Sequence, residues 1–441
     1  MPARPNLLAT AIAAALALGA QAVPAAAAGG SAAVVSRGVE IPAFYTPPST
    51  LPEADGALVR SEPLKLALSL PSLGGPLPGR ATRLMYKSTD AGGGPMAVTG
   101  AYVEPTAKWR GDGPRPLVVV APGTMGQGDQ CAASMGLEHP LRFNGRTVSV
   151  GYEDLAVYRL LARGIAVVVT DYAGLGTTDR LHTYVNRVDE AHAVLDAVRA
   201  ARSLAEASVT AESPVGLFGY SQGGGATAAA AELQPSYAPD VTLSGTYSGA
   251  APADLTEVTE AIDGSDLAGA LGWSLNGFLQ TEPALRPIAD QYVNQAGREA
   301  LEDLSTMCVG DALFGYAFAR SGSWTKTGQS LGDVIRAEPA LQAFLAEQRI
   351  GTRKPAGPVR VATGTSDNLV PHGQTREMAA GWCALGGQVD YEPVVLPNVG
   401  DKLINHFAAL LADQGEAVSW LTDRLAGEPA ASDCRTLPLQ P

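Results

Sequence analysis

Ser221 stands in a setting that favours nucleophilic chemistry. It is the central residue of Gly219-Tyr-Ser-Gln-Gly, which follows the short apolar run Val215–Phe218 and precedes an alanine-rich segment typical of a helix. Glycines on both sides of the serine let a strand and a helix approach closely around a sharp turn that exposes the hydroxyl. The N-terminus of the helix then faces the negative charge that develops when a nucleophile attacks a carbonyl. The motif therefore predicts a serine nucleophile.

A serine of this kind needs an acid and a base later in the chain, in the order Ser, Asp/Glu, His. His406 follows the apolar segment Val389–Leu396 and opens the last predicted helix, where the base is expected. His372 is its rival, although it lies in the same loop as the acid candidate. The remaining histidines precede the serine and are interpreted as structural or solvated: His139, His182 and His192.

The acid candidate is Asp367, which ends the sequence Gly364-Thr-Ser-Asp after a predicted strand. A carboxylate at the C-terminal edge of a strand is suited to orienting an imidazole. The alternative for Asp367 is the cap of the next helix. Asp401, five residues before His406, is a weaker candidate that we expect to line the pocket.

Two backbone N–H groups are expected to stabilise the negative oxygen formed in the attack. One belongs to Gln222, the residue after the nucleophile, and the other to the loop that follows an earlier strand. The segment Ala121-Pro-Gly-Thr-Met-Gly-Gln-Gly fits that loop. Thr124 is the preferred donor, and Met125 remains an alternative.

The elements that must position these residues alternate along the chain. Apolar runs typical of buried strands lie at residues 117–121, 165–170, 215–218 and 359–363, with helical patterns between them. Alternation of this kind predicts an α/β fold with a mostly parallel sheet covered by helices on both faces. Residues 29–80 are rich in proline and glycine and predict an irregular arm.

The alternation of predicted strands and helices stops between residues 251 and 345. Four helices are predicted there, at Leu255–Ile262, Leu267–Leu279, Ile288–Met307 and Leu331–Gln348, and no strand run interrupts them. We interpret residues 29–250 and 346–441 as two parts of one core, and residues 251–345 as a helical cap inserted between them. The apolar content of 267–285 and 313–319 favours hydrophobic, neutral substrates, although ordinary helix packing also produces such stripes.

Residues 1–28 have the pattern of a secretory signal peptide. Arg4 precedes the apolar stretch Leu7–Ala20, and small-residue cleavage patterns end at Ala22 and at Ala28. The apolar stretch is shorter than the roughly 20 residues that span a bilayer.

The chain is acidic, with 31 Lys and Arg against 44 Asp and Glu in 441 residues, which argues against nucleic acid as a partner. An exported acidic protein is predicted.

An even number of cysteines in an exported chain suggests two disulfides. Cys131, Cys308, Cys383 and Cys434 allow three connectivities, of which we prefer Cys131–Cys308 with Cys383–Cys434. Their wide spacing makes a zinc site an unfavoured alternative.

Several of these motifs together resemble the secretory lipase family of α/β-hydrolases, the lipase A-like group with fungal and actinobacterial members. The resemblance is carried by Phe44-Tyr-Thr-Pro-Pro, Tyr86-Lys-Ser-Thr-Asp, the segment Ala121-Pro-Gly-Thr through Cys131-Ala132, Asp171-Tyr-Ala-Gly-Leu-Gly-Thr, the serine motif and His406-Phe407. It covers most of the chain beyond residue 28, although the glycine-rich loop after Ala121 departs from the fungal members. The serine motif also occurs in cutinases, but those are small and uncapped, whereas 146 residues separate Ser221 from Asp367 here.

The resemblance implies a helical cap, secretion and hydrolysis of carboxylic esters, including triacylglycerols. Separately, an apolar cap helix that is displaced would present a surface to a lipid–water interface. It places the triad on Ser221, Asp367 and His406 and suggests a cap-to-core disulfide between Cys131 and Cys308. No metal or organic cofactor is expected for this chemistry. A short-chain carboxylesterase or an acyltransferase would use the same triad, and a serine peptidase or a non-catalytic scaffold protein are further alternatives.

Overall fold

The computed structural model of the protein describes residues 33–72 and 75–441, so the predicted signal peptide lies outside the described residues. Its centre is a sheet of nine strands, which we number along the chain. They are β1 (Leu58–Leu64), β2 (Gly79–Thr89), β3 (Pro95–Pro105), β4 (Leu117–Ala121), β5 (Ala166–Ala173), β6 (Val215–Tyr220), β7 (Leu243–Gly249), β8 (Pro358–Gly364) and β9 (Gln388–Val394). Their spatial order is β9-β8-β7-β6-β4-β5-β3-β2-β1.

The six strands β4–β9 run parallel, and the three strands at the other edge are antiparallel. Alternate side chains of the parallel strands enter two different cores. In β4, Leu117, Val119 and Ala121 pack on one face, and Val118 and Val120 pack on the other. Burial on both faces explains why this strand is apolar throughout.

Helices cover both faces of the sheet. Before the long helical segment they are α1 (Ala133–Glu138), α2 (Asp154–Ala162), α3 (Arg187–Ser203) and α4 (Gln222–Tyr237), and after it α12 (His372–Ala384) and α13 (Lys402–Leu425). Side chains of α3, α4 and α12 belong to one core, and those of α1, α2 and α13 to the other. The doubly covered parallel sheet expected from the alternating pattern is therefore confirmed.

Between β7 and β8 the chain forms only helices and loops. We call residues 251–357 the helical insert; its α-helices are α5 (Leu255–Ile262), α6 (Ala270–Thr281), α7 (Arg286–Tyr292), α8 (Gln295–Leu304), α9 (Val309–Gly315), α10 (Leu331–Ala337) and α11 (Pro339–Gln348). These helices are packed around two apolar clusters, which contain Trp273, Leu304, Phe278 and Leu345; the first of them also includes Tyr184, Leu369 and Val370 from outside the insert.

Two predicted helices of the insert are each divided in the structure. The segment predicted as Ile288–Met307 is interrupted at Asn294, whose extended backbone lets its side chain accept from the Gly297 N–H at 2.8 Å and begin α8. The segment predicted as Leu331–Gln348 is interrupted at Glu338, because Pro339 disfavours helical backbone in the residue before it. Helical periodicity continues across both breaks, so it does not reveal them.

The prediction of an irregular arm over residues 29–80 was wrong in part. Leu58–Leu64 forms β1, which pairs antiparallel with β2 from Leu64 opposite Ala81 to Leu58 opposite Tyr86. An edge strand needs only one partner, and a proline such as Pro63 is tolerated there because one side of the strand makes no ladder. The prolines in and around this segment therefore led the sequence to be interpreted as irregular, although it forms a strand.

Two disulfides join the four cysteines in the preferred pairing, Cys131–Cys308 and Cys383–Cys434. The first connects the loop after β4 to the helical insert, and the second connects α12 to the C-terminal segment. No helix among residues 33–72 and 75–441 is long and apolar enough to cross a membrane.

Candidate active site

Ser221 lies on the sharp turn between β6 and α4. Its backbone has φ 58° and ψ −125°, a conformation that costs a non-glycine residue energy and that functional sites often contain. A hydrogen bond from the Ser221 N–H to the Gly249 carbonyl, at 2.9 Å, ties the turn to the end of the neighbouring strand β7. A Cβ on Gly219 would lie 2.1 Å from the Gly223 carbonyl oxygen, and one on Gly223 would lie 2.0 Å from that of Ala121. Both glycines of the motif are therefore required by close backbone approach.

Asp367 and His406 form a buried pair at the same edge of the sheet. Asp367 follows β8, and His406 lies in the second turn of α13. The Asp367 Oδ2 atom is 2.6 Å from His406 Nδ1, and the other carboxylate oxygen accepts from the N–H groups of Leu369 and Val370 at 3.1 and 3.0 Å. Since a carboxylate can only accept, Nδ1 carries the proton and Nε2 is left as the basic nitrogen.

Ser221 and His406 line one cavity of about 240 Å³. Its wall is mostly apolar and comes from the core and from the helical insert, with Leu267, Val309 and Leu313 contributed by the insert. Thr124 also lines this cavity. The structure therefore brings the predicted nucleophile, base and loop donor to a single space.

The loop after β4 presents backbone N–H groups beside this cavity. The Gly123 N–H donates to Glu153 Oε1 at 2.7 Å, so it is already occupied. Within the described part of the chain, no hydrogen bond occupies the N–H of Thr124 or that of Gln222. Met125, the alternative donor, also has an unoccupied N–H, but it does not line the cavity that contains Thr124.

The carbonyl groups and side chains of the same loop are held by three tyrosines. Tyr172 donates to the Pro122 carbonyl at 2.7 Å, and Tyr152 donates to the Thr124 carbonyl at 3.0 Å. The hydroxyl of Tyr184 lies 2.7 Å from that of Thr124. The loop is thus fixed before any substrate binds, which is what stabilisation of a developing charge requires.

Two buried carboxyl groups lie behind the candidate oxyanion donors. Burial raises the pKa of Glu153 to about 7, although the Gly123 N–H opposes that shift. Burial likewise raises the pKa of Glu190 to about 8; its Oε1 accepts from the Gln222 side chain at 2.8 Å and from the Val185 N–H at 3.0 Å. Sequence reasoning missed both residues, because neither stands in a motif and only the fold brings them here.

The rival residues occupy other positions. His372 begins α12, and its Nε2 is 3.3 Å from the Tyr391 hydroxyl. Asp401 caps α13 by accepting from the Ile404 N–H at 2.8 Å. Contrary to the expectation from the sequence, it does not line the cavity of Ser221. Among the described residues, no hydrogen bond joins either of them to Ser221 or His406.

The candidate catalytic groups lie on loops beyond the carboxyl ends of β4, β6 and β8 of the central parallel sheet. This arrangement defines the α/β-hydrolase class, as predicted. The family model described as secretory lipase matches residues 137–433, which is more than half of the chain. The chain belongs to the secretory lipase family, and this places it among the carboxylic ester hydrolases. The resemblance stated from the sequence is confirmed.

The chain is similar to several individual proteins. It is 28% identical over 387 residues to a probable inactive lipase of Mycobacterium tuberculosis (88% of this chain and 82% of that protein), and 25% identical over 403 residues to lipase 10 of Candida albicans (89% and 82%). The structure of Candida antarctica lipase A in its closed state matches with a TM-score of 0.73 at 18% identity, covering 91% of this chain and 89% of that one. At that identity the structural likeness shows the fold alone.

Proposed function

We propose that this protein is a secreted serine hydrolase that cleaves neutral, hydrophobic carboxylic esters, including triacylglycerols, through an acyl-enzyme on Ser221. The observation that carries the proposal is the bonded pair of His406 and Asp367 beside the cavity that contains the Ser221 turn. The presence of all three residues favours this proposal over a non-catalytic scaffold, the alternative suggested by the mycobacterial relative described as a probable inactive lipase.

The mechanism follows from the orientation of the imidazole. His406 Nε2 removes the Ser221 proton as the serine oxygen attacks the ester carbonyl, and Asp367 stabilises the imidazolium that forms. The protonated ring then donates its proton to the leaving alcohol. Water, activated by the same Nε2, cleaves the acyl-serine ester and releases the acid.

The negative oxygen of each tetrahedral intermediate would lie between the N–H groups of Gln222 and Thr124. Both donors are unoccupied within the described residues, and the surrounding tyrosines hold the loop of Thr124 in place. A preorganised donor of this type contributes about 10²–10³-fold to turnover.

The lining of the cavities supports an uncharged, apolar acyl group. A second cavity of about 40 Å³ shares Ser221, Leu267 and Leu369 with the first, and it continues into the insert. A third cavity of about 90 Å³ shares Leu271 and Phe278 with the second. Among the described residues that line the three cavities there is no Lys, Arg, Asp or Glu. A long acyl chain would run from Ser221 along this path.

A short-chain carboxylesterase is the second candidate. The middle cavity is the smallest of the three, so a path that stays narrow would admit only short acyl groups beyond Ser221. The same triad would operate in both enzymes, and only the accepted chain length would differ.

The decisive experiment measures hydrolysis of p-nitrophenyl esters of increasing acyl length and of emulsified triacylglycerol by protein beginning near residue 29. Ser221→Ala and His406→Ala should lower turnover by about 10³-fold or more. His372→Ala is the matched histidine control and should retain most activity. Activity confined to short esters selects the esterase, and activity that survives Ser221→Ala refutes the proposal.

A further inference from the structure

We infer that His182 is a positioning residue that fixes both donors of the oxyanion hole, Gln222 directly and Thr124 through two tyrosines. This inference rests on the proposed function. The sequence indicated only a structural or solvated role for His182. In the structure this residue is completely buried.

His182 contacts the side chain of the first candidate donor. Its Nδ1 is 2.8 Å from the Ala173 carbonyl, which can only accept, so Nδ1 carries the proton. Its Nε2 is therefore an acceptor, and it lies 3.0 Å from Gln222 Nε2. The other hydrogen of that amide nitrogen is donated to Glu190 at 2.8 Å. Both N–H bonds of the Gln222 side chain are thus used to hold it.

The consequence concerns the backbone of Gln222. This residue begins α4 immediately after the strained turn of Ser221. A side chain anchored at its far end restricts rotation of the residue that carries the proposed donor. Because an error of about 1 Å in a reacting geometry can cost about 10²-fold in rate, the anchor affects turnover without touching substrate.

The His182 ring also contacts two tyrosines of the other half of the site. The ring is stacked on Tyr172, with centroids 5.8 Å apart and planes 12° apart, and it meets Tyr184 edge-on at 5.9 Å. These are the tyrosines that bond the Pro122 carbonyl and the Thr124 hydroxyl. One ring therefore contacts both of the tyrosines that hold the loop of Thr124.

The charge state of His182 agrees with this geometry. Burial lowers its pKa to about 4, although the bond to Ala173 opposes that shift. The ring is therefore neutral at the pH of the assay and keeps the acceptor that the Gln222 amide requires. The titratable groups around it are Glu190, Tyr172 and Tyr184, and burial raises the pKa of each.

The test compares His182→Phe, which retains a stacking ring, with His182→Gln, which can retain an acceptor for Gln222. His192→Phe is the matched control, since His192 is also stacked on a tyrosine (Tyr237) and bonded through Nδ1 to a backbone carbonyl, but that tyrosine ends α4, at the opposite end of the helix from Gln222. Turnover is measured on a p-nitrophenyl ester and normalised to sites titrated with an alkyl phosphonate. We expect His182→Phe to lower kcat about 10–100-fold with KM within about two-fold, His182→Gln to recover part of the loss, and the control to match the wild type.

A double-mutant cycle with Gln222→Met, which keeps the backbone N–H but removes the amide, completes the test. Residues that act through one contact show non-additive effects, so the double variant should lose little more than His182→Phe alone. The inference is overturned if the kcat losses of the two single variants multiply in the double variant, or if folded His182→Phe has an unchanged kcat. Either result leaves the proposed function intact. If His182→Phe does not fold, His182→Gln and Gln222→Met form the cycle. A wild type without Ser221-dependent hydrolysis would overturn the proposed function and this inference together.

Discussion

Ser274 lies where the second and third cavities of the proposed acyl path meet. It lines both of them, together with Thr259, Leu271 and Phe278, and it is half-buried on α6. Replacing its hydroxymethyl group by the benzyl group of phenylalanine fills the junction between the two cavities. Ser274→Phe should therefore exclude the distal part of a long acyl chain while leaving the space beside Ser221 open.

The magnitude follows from the burial of methylene groups. Each methylene removed from water contributes about 0.8 kcal/mol, which corresponds to a factor of about four in kcat/KM. Excluding four methylenes from the third cavity therefore costs about 3 kcal/mol, or about 200-fold, on a long-chain ester. A butyrate ester ends before the junction and should lose less than about two-fold.

The assay measures kcat/KM on p-nitrophenyl butyrate, octanoate and palmitate under conditions that keep all three monomeric. Ser323→Phe is the matched control, because Ser323 is an exposed serine of the same helical insert and lines none of the three cavities. A loss by Ser274→Phe that is equal for all chain lengths, or no loss on palmitate, would refute an acyl path through α6.

Three further predictions concern the site and its support. Asp367→Asn should lower kcat about 10⁴-fold at neutral pH, because the amide does not hold the required imidazole tautomer; a ten-fold loss would contradict its assignment as the acid. Joint replacement of Cys131 and Cys308 by serine should lower the free energy of unfolding by about 2–5 kcal/mol in urea titrations, and unchanged stability would show that the cross-link is dispensable. Glu153 has a folded-state pKa of about 7 against 4.5 unfolded, so its contribution to stability is complete below pH 4.5 and is lost as the pH rises through 7. Glu153→Gln, which can still accept from the Gly123 N–H, should flatten that decline between pH 5 and 8, and an unchanged pH profile would exclude Glu153 as its source.

Local patterns were sufficient for the elements whose residues carry their own signal. The run Leu117–Ala121 is apolar because both faces of β4 are covered, and the two glycines around Ser221 are required by close backbone approach, Gly219 to Gly223 within the turn and Gly223 to the end of β4. The order of acid and base after the serine also follows from chain topology. The catalytic roles of Ser221, Asp367 and His406 stay predictions until the variants are measured.

Features that depend on distant partners were not accessible from the sequence. The strand Leu58–Leu64 exists because it pairs with β2, a contact that forms only once the sheet has assembled. The breaks at Asn294 and Glu338 are different: they arise from a local cap and a local proline, which hydrophobic periodicity does not reveal.

The same division applies within the site. The sequence by itself determined the serine turn, the fold class and the family, because these are written in short motifs and in the alternation of strands and helices. Only the tertiary structure decided that Glu153, Glu190 and His182 surround the oxyanion donors. A buried polar side chain acquires its function from the donors and acceptors that other segments bring within hydrogen-bond distance, and no local pattern encodes those partners.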